Sequence, residues 1–230
     1  DAVILVGGRG SRLGYLTKNT PKPLLKINDK VFLDVLIEKL IKYDFNIIYL
    51  LCSYKKEKFF RLYNNKTVHN SKIKCIDEGP AKGTGGALYK LKKIIKKDFI
   101  LINGDTFFNI DISKLIESKF QNNICTIALT SNSINKKNIK INNIRITRNN
   151  KIEFTKNLSF LMNGGIYFFK NKILNLITEK KCSLEDDILK NLIIKKKIHG
   201  IVFKEKFIDI GSLKSIKFLK KNKNFFNLDL

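Results

Sequence analysis

The chain has 230 residues, 43% of them hydrophobic, which is enough to bury one full core, and it holds no apolar stretch long enough to span a bilayer. Its formal charge of +25 comes from 45 Lys and Arg against 20 Asp and Glu, a balance that first suggests nucleic acid. That partner is set aside because only five of the 45 are Arg, and the lysines are scattered (Lys92-Lys93, Lys136-Lys137, Lys195-Lys196-Lys197) rather than interleaved with aromatics; abundant Lys, Ile and Asn match a bias toward A/T-rich codons.

The apolar run from Ala2 to Val6 predicts a first buried strand over 3–6. It starts almost at residue 1, as though a short N-terminal piece had been trimmed. No charged-then-apolar leader is seen, so a cytoplasmic protein is expected. Gly7-Gly8-Arg9-Gly10-Ser11-Arg12-Leu13 follows. Glycines let a backbone turn sharply and approach a ligand, and a loop of free N–H groups suits phosphate. Arg12 adds a fixed fork of donors, and Lys22 is braced between Pro21 and Pro23. Together they suggest a nucleoside triphosphate site. A dinucleotide fingerprint would want glycine where Leu13 stands and a helix at once, but helical periodicity begins only near Val31; a P-loop would need Gly-Lys-Ser/Thr, which is absent. On the loop alone, a plain glycine-rich turn stays open.

Residues 31–43 predict a helix, with apolar residues at 33, 36, 37, 40 and 41. Further helices are predicted over 55–63, 84–96 and 113–120, and strands over 47–52, 72–76, 99–102, 124–129, 165–169 and 198–203. Ser183 and Ser212 are placed as N-caps of two late helices. The alternation predicts an α/β fold with a mostly parallel sheet covered on both faces, as one domain over 1–230. Residues 131–160 break the rhythm. Short strands near 139–147 and 151–155, turning at Asn149-Asn150, predict a β-hairpin insertion that covers a site. The tail over 220–230 is either packed or frayed. Cys52, Cys75, Cys125 and Cys182 form no metal or redox spacing, His69 and His199 have no partner at ligand spacing, and no zinc site is expected.

Four glycines within 79–86, in Glu78-Gly79-Pro80-Ala81-Lys82-Gly83-Thr84-Gly85-Gly86-Ala87, argue against a helix interior and for a loop pressed on a flat ligand, with Thr84 as a hydrogen-bonder. A flexible loop before a helix is the alternative. Asn103-Gly104-Asp105 ends the fourth strand, a common place for a metal-binding carboxylate. Asp209 is a second acid in apolar surroundings, costly to bury unless paired or metal-bound. Two such acids suit Mg²⁺; a helix cap at Asp105 and an ion pair at Asp209 remain open.

Taken in order, the glycine loop, Pro21-Lys22-Pro23, Gly83-Thr84-Gly85-Gly86, Asn103-Gly104-Asp105, Asn163-Gly164-Gly165-Ile166-Tyr167 and Phe207-x-Asp209-x-Gly211 resemble the sugar-1-phosphate nucleotidyltransferases over nearly the whole chain. The short length and the Gly-Thr-Gly-Gly-Ala stretch look most like the D-glycero-α-D-manno-heptose 1-phosphate and mannose-1-phosphate guanylyltransferases. The resemblance implies a three-layer, Rossmann-like (GT-A-like) fold. It implies that Gly7, Gly8, Gly10, Ser11 and Arg12 hold the triphosphate, that Lys22 neutralises charge at the α-phosphate, and that Arg12 and Lys22 carry catalysis. Gly83, Thr84 and Gly86 would line the base pocket, Glu78 would be among the nucleotide-binding residues, Asn163 and Gly164 would meet the sugar, and Asp105 and Asp209 would hold Mg²⁺, Asp105 beside the nucleotide. The family's Phe-x-Glu-Lys motif appears here as Phe154-Thr155-Lys156-Asn157, without the Glu; Lys156 is expected to take the Lys role with a one-residue shift. The long C-terminal extensions of some members are not expected. The implied reaction transfers a nucleotidyl group, from GTP by preference, to a heptose- or mannose-type sugar 1-phosphate with release of pyrophosphate. A catalytically weak nucleotide-sugar-binding relative, or transfer from another nucleotide, is the alternative. The expected partners are these small molecules, not nucleic acid or membrane, with a homodimer left open.

Overall fold

The structure, a computed structural model, describes residues 1–118, 120–131, 144–157 and 159–227. In chain order the strands are β1 (Ala2–Leu5), β2 (Lys26–Ile27), β3 (Lys30–Val31), β4 (Ile47–Cys52), β5 (Thr67–Val68), β6 (Ser71–Asp77), β7 (Phe99–Asn103), β8 (Thr106–Phe108), β9 (Cys125–Thr130), β10 (Ile144–Ile146), β11 (Ile152–Phe154), β12 (Met162–Phe169), β13 (Ile198–Phe203) and β14 (Phe207–Asp209). The helices are α1 (Tyr15–Lys18), α2 (Phe32–Leu40), α3 (Lys56–Tyr63), α4 (Gly83–Ala87), α5 (Ser113–Ile116), α6 (Lys190–Ile194) and α7 (Leu213–Lys221).

Eight strands form one sheet in the order β13-β9-β12-β7-β1-β4-β6-β5. Neighbours β7, β1, β4 and β6 are parallel, as are β9 and β13. β12 runs antiparallel between β7 and β9, and β5 runs antiparallel at the edge. Central strands read as continuous apolar runs because both faces are covered. Alternation assigns Ile4, Leu50 and Ile102 to one face, packed under Leu33, Leu36 and Leu40 of α2 and Leu219 of α7. Val3, Leu51, Leu101 and Tyr167 take the other face, under Leu88, Leu91, Leu184 and Leu192. This is the α/β sandwich of helices around a mostly parallel sheet that the sequence predicts.

Both predicted caps form. Ser212 Oγ accepts the Ser215 N–H at 3.1 Å, and Ser183 Oγ accepts the Asp186 N–H at 3.0 Å. The element after Ser183 begins with wide, π-type turns over Leu184–Leu189 before α6.

Several expectations change. The predicted helix over 84–96 is α4 followed by 3-10 turns at Leu88–Lys93, and α5 stops at Ile116. One helical turn, α1, forms before the predicted first helix. Of the four glycines expected as loop, Gly79 lies in the loop before α4, while Gly83, Gly85 and Gly86 lie inside α4. A Cβ on Gly85 would sit 2.8 Å from Cys182 Sγ and from Ile188 Cδ1, so Gly85 serves close packing, whereas Gly83, at φ +79°, needs the backbone freedom as well.

The hairpin forms between β10 and β11, with Ile144 opposite Phe154 and Asn150 at φ 58° in the turn. It docks on β13, where Gly200 N–H donates to Asn150 O at 2.8 Å. Residues 132–143 of the expected insertion lie outside the described residues. The tail packs: the Phe226 ring is 5.8 Å from Phe32 and 5.2 Å from Phe107, edge-on to both. Among the described residues no helix is long and apolar enough to cross a membrane.

Candidate active site

β1, β6 and β7 end on the same side of the sheet, and antiparallel β12 begins there. The segments after the first three, with Asn163 from β12, line a cleft of about 440 Å³. Along the sheet edge, Asn163 lies on one side of the glycine loop that follows β1, and Glu78, after β6, lies on the other.

The acids meet through a short ribbon. Gly104 N–H donates to Leu5 O at 3.0 Å, and a Cβ there would lie 2.4 Å from that oxygen, so only glycine lets the chain ride this closely over β1. β8 then pairs with β14, which sets Asp209 opposite Thr106, and Ile210 N–H donates to Asp105 O at 2.9 Å. Lys22 Nζ donates to Asp105 Oδ2 at 2.7 Å, with the lysine side chain 10% exposed. Pro21 and a 3-10 turn over Lys22–Leu24 fix the backbone behind it. A Cβ on Gly211 would lie 2.7 Å from Asp209 Oδ1 and 3.2 Å from Arg12 Nη2, which places the guanidinium beside that carboxylate.

These contacts push the two acids apart. Burial would raise the Asp105 carboxyl, but the Lys22 ammonium, its hydrogen bond, Thr106 and Arg12 hold it below the usual carboxylate range. The Asp209 carboxyl is raised by burial and by Asp105, against the Gly211 N–H and the two cations. Two carboxylates at one point, open to a cleft, match a Mg²⁺ that takes its remaining ligands from phosphate and water. Among the described residues no cluster of three or more His, Cys, Asp or Glu forms a closed protein cage.

Glu78 is 8% exposed, and burial, aided by Asp77, pushes its carboxyl up to about 7. A Cβ on Gly7 would fall 2.1 Å from Glu78 Oε1, so this glycine makes room for the acid. At the other end, Asn163 Nδ2 donates to the Tyr167 hydroxyl at 2.7 Å and Asn163 Oδ1 accepts the Gly165 N–H at 2.9 Å. Asn103 Oδ1 is buried without a partner among the described residues.

Gly7, Gly8, Arg12, Lys22, Glu78, Gly83, Thr84, Asp105, Asn163 and Asp209 thus come together in the cleft wall. Others do not. Gly10, at φ +65°, packs on the Lys22 stem, Ser11 is exposed beside the turn, and Gly86 faces Lys82 and the Lys180 carbonyl. Gly164 packs on the Phe108 ring, leaving the wall to Gly165, and Lys156 is exposed on the segment after β11 and outside the lining. Sequence reasoning missed Glu185. Its signal was the Ser183 cap, whose first turn carries three acids that read as cap support, while one of them turns into the cleft.

A family model described as nucleotidyl transferase matches residues 1–224. The chain is 36% identical over 217 residues to a D-glycero-alpha-D-manno-heptose 1-phosphate guanylyltransferase of Campylobacter jejuni, covering 92% of this chain and 94% of that protein. It is also 36% identical over 220 residues to the bifunctional protein GlmU of Methanococcus aeolicus, of which it spans 51% of the length. HddC from Yersinia pseudotuberculosis, solved in complex with GMP-PN, superposes with a TM-score of 0.78 at 29% identity, over 97% of this chain and 99% of that one.

Proposed function

The chain belongs to the nucleotidyl transferase family, and from that premise we propose that it transfers a nucleotidyl group to a sugar 1-phosphate, with GTP as donor and a heptose- or mannose-type acceptor. The observation that carries this reading is the meeting of Lys22, Arg12, Asp105 and Asp209 midway between two different polar ends of one cleft. A donor phosphate bound at the centre leaves room for a base on the Glu78 side and an acceptor on the Asn163 side.

In this reading an oxygen of the sugar phosphate attacks the α-phosphorus in line and pyrophosphate leaves. The attacking group is already an anion, so no strong general base is required, and catalysis is positioning and charge neutralisation. Lys22 and Arg12 supply fixed positive charge where it builds up. Asp105 and Asp209 would hold Mg²⁺, which when bound neutralises and orients phosphate oxygens. The supply of nucleoside triphosphates fits a cytoplasmic setting.

Glu78 supports guanine. Guanine presents N1–H and N2–H₂ side by side, a donor pair that fits the two oxygens of one carboxylate. Uracil and thymine present one N–H between two carbonyls, which a carboxylate repels. The bound nucleotide of the Yersinia neighbour points the same way. A panel of nucleoside triphosphates with mannose, glucose and heptose 1-phosphates, read by Mg²⁺-dependent pyrophosphate release, tests the whole reading. Release is expected fastest with GTP; no release from any pair would defeat it.

A further inference from the structure

His199, on β13, is 3% exposed, and the Phe120 ring lies flat against it with centroids 4.5 Å apart and planes 7° from parallel. A chain of committed hydrogens fixes where its own proton sits. Ser118 Oγ donates to Leu115 O at 2.6 Å, so the Thr126 hydroxyl, 3.0 Å away, donates to Ser118. Thr126 Oγ1 accepts from Asn123 Nδ2 at 2.7 Å. That turns Asn123 Oδ1 toward the Cys125 N–H at 3.0 Å and toward His199 Nδ1 at 3.3 Å. An amide oxygen only accepts, so the imidazole carries its proton on Nδ1 and donates it. Nε2 has no protein partner among the described residues.

The ring also sits where the hairpin docks. Lys151 bridges backbone to backbone with His199, and the next residue, Gly200, donates its N–H to Asn150 O at 2.8 Å. A Cβ on Gly200 would lie 3.1 Å from Ile152 Cδ1, so the hairpin rests directly on the strand. Its position is passed on along the chain. Ser159 Oγ donates to Ile144 O in β10, and Leu161 N–H donates to Ser159 Oγ at 3.3 Å, two residues before Asn163 of the cleft.

A proton on Nε2 would create a buried donor without an acceptor and a buried charge without a counter-ion. Of the elements packed on the ring, β9 brings Thr126, residues 118–123 bring Ser118, Phe120 and Asn123, and the hairpin brings Lys151. The one ionised group among these repels a cation. The Phe120 face favours a cation weakly, which does not offset an unpaired buried ion. Burial first, and Lys151 next, lower the imidazole from its ordinary 6.5.

We propose that His199 is an acid-operated latch: neutral, it lets the β10–β11 hairpin dock on β13, and uptake of a solvent proton at Nε2 releases the hairpin and slackens the segment that leads to Asn163. The latch does not depend on the transfer reaction. Once released, the imidazole returns to its ordinary value. Between that value and the lower docked one, the open form binds more protons, so docking weakens as pH falls, by up to about ten-fold per pH unit.

The test is NMR of the full chain from about pH 7.5 down to 4.5. It follows the signals of the two imidazoles, with exposed His69 as the reference, and amide exchange corrected for the intrinsic rate. His199 is expected to titrate below 6.5. Over the same range the Gly200 and Leu161 amides should lose protection together, by up to about ten-fold per unit, while the Ile4 amide in the central strand keeps its own. His199→Gln keeps an N–H for Asn123 and cannot charge, so Gly200 should stay protected to the acid end. Lys151→Met should move His199 back toward 6.5 and narrow the range over which the hairpin opens. Those wild-type and Lys151→Met measurements decide the matter should a buried Gln disturb the fold. The latch is overturned by a His199 that titrates at or above 6.5, by Gly200 protection that does not follow it, or by the same loss in His199→Gln. Joint loss at Gly200 and Ile4 would also overturn it, since that is global unfolding.

Discussion

Charge placed by single side chains dominates the cleft. Lys22→Ala and Arg12→Ala are expected to lower turnover by about a hundred-fold or more, since each removes a cation aimed at the transferring group. Lys156→Ala, in the same pyrophosphate assay, should leave both KM values unchanged because that side chain lies outside the lining. Glu78 gives a pH prediction. Burial pushes its carboxyl up to about 7, and in the proposed reading guanine binds the ionised form, so KM for GTP should fall as pH rises from 6 to 8; Glu78→Gln should flatten that slope and relax the preference toward uridine and thymidine triphosphates. Away from the cleft, Lys39 is 3% exposed, its ammonium bonded to Ile110 O and pushed down to about 8, by burial first. Below pH 8 the folded protein therefore carries a buried charge at a cost. Between 8 and the ordinary 10.5 the unfolded chain binds more protons, so stability should rise with pH, by on the order of 3 kcal/mol at most. Denaturant unfolding of wild type against Lys39→Met checks this, since the variant should lack that part of the slope. Residues of this kind divide by legibility. Lys22, Asp105 and Asp209 could be picked out because charge in apolar or proline-framed sequence is costly without a purpose. Glu185 could not, because an acid after a capping serine has a sufficient local explanation.

Elements were legible where periodicity had length to act. β4, β13, α2 and α3 fall within about one turn or one residue of their predicted spans, the predicted first helix ending as the 3-10 turn Ile41–Tyr43. The β8–β14 ribbon was not, since three-residue strands carry no period, yet it joins the two acids. The glycines of α4 misled for a different reason. Their requirement comes from the segment around Cys182, far along the chain, and propensity sees only neighbours. Gly85→Ala should therefore destabilise, by about 1–3 kcal/mol from overpacking less the helix gain of the added methyl, and thermal unfolding measures the net. An increase in stability would mean that Cys182 and Ile188 yield without cost.

At the scale of the molecule, the charge of +25 is scattered along the chain, and in the cleft Lys22 pairs with Asp105. The sheet itself is assembled out of sequence order. β12 enters between β7 and β9, both of which precede it in the chain. On the ribosome, a nascent chain that has emerged through β9 carries two strands whose facing edges have no partner, and these are open to pairing with another chain. Closure waits for residues 162–169, and β14, which delivers Asp209, comes later still. A series of chains stopped before and after β12 should show this as less aggregation when residue 169 is included, with β13 still needed to cover the other edge of β9. The gap that β12 fills is also the wall on which Asn163 stands, so translation closes the sheet and sets Asn163 in the cleft in the same step.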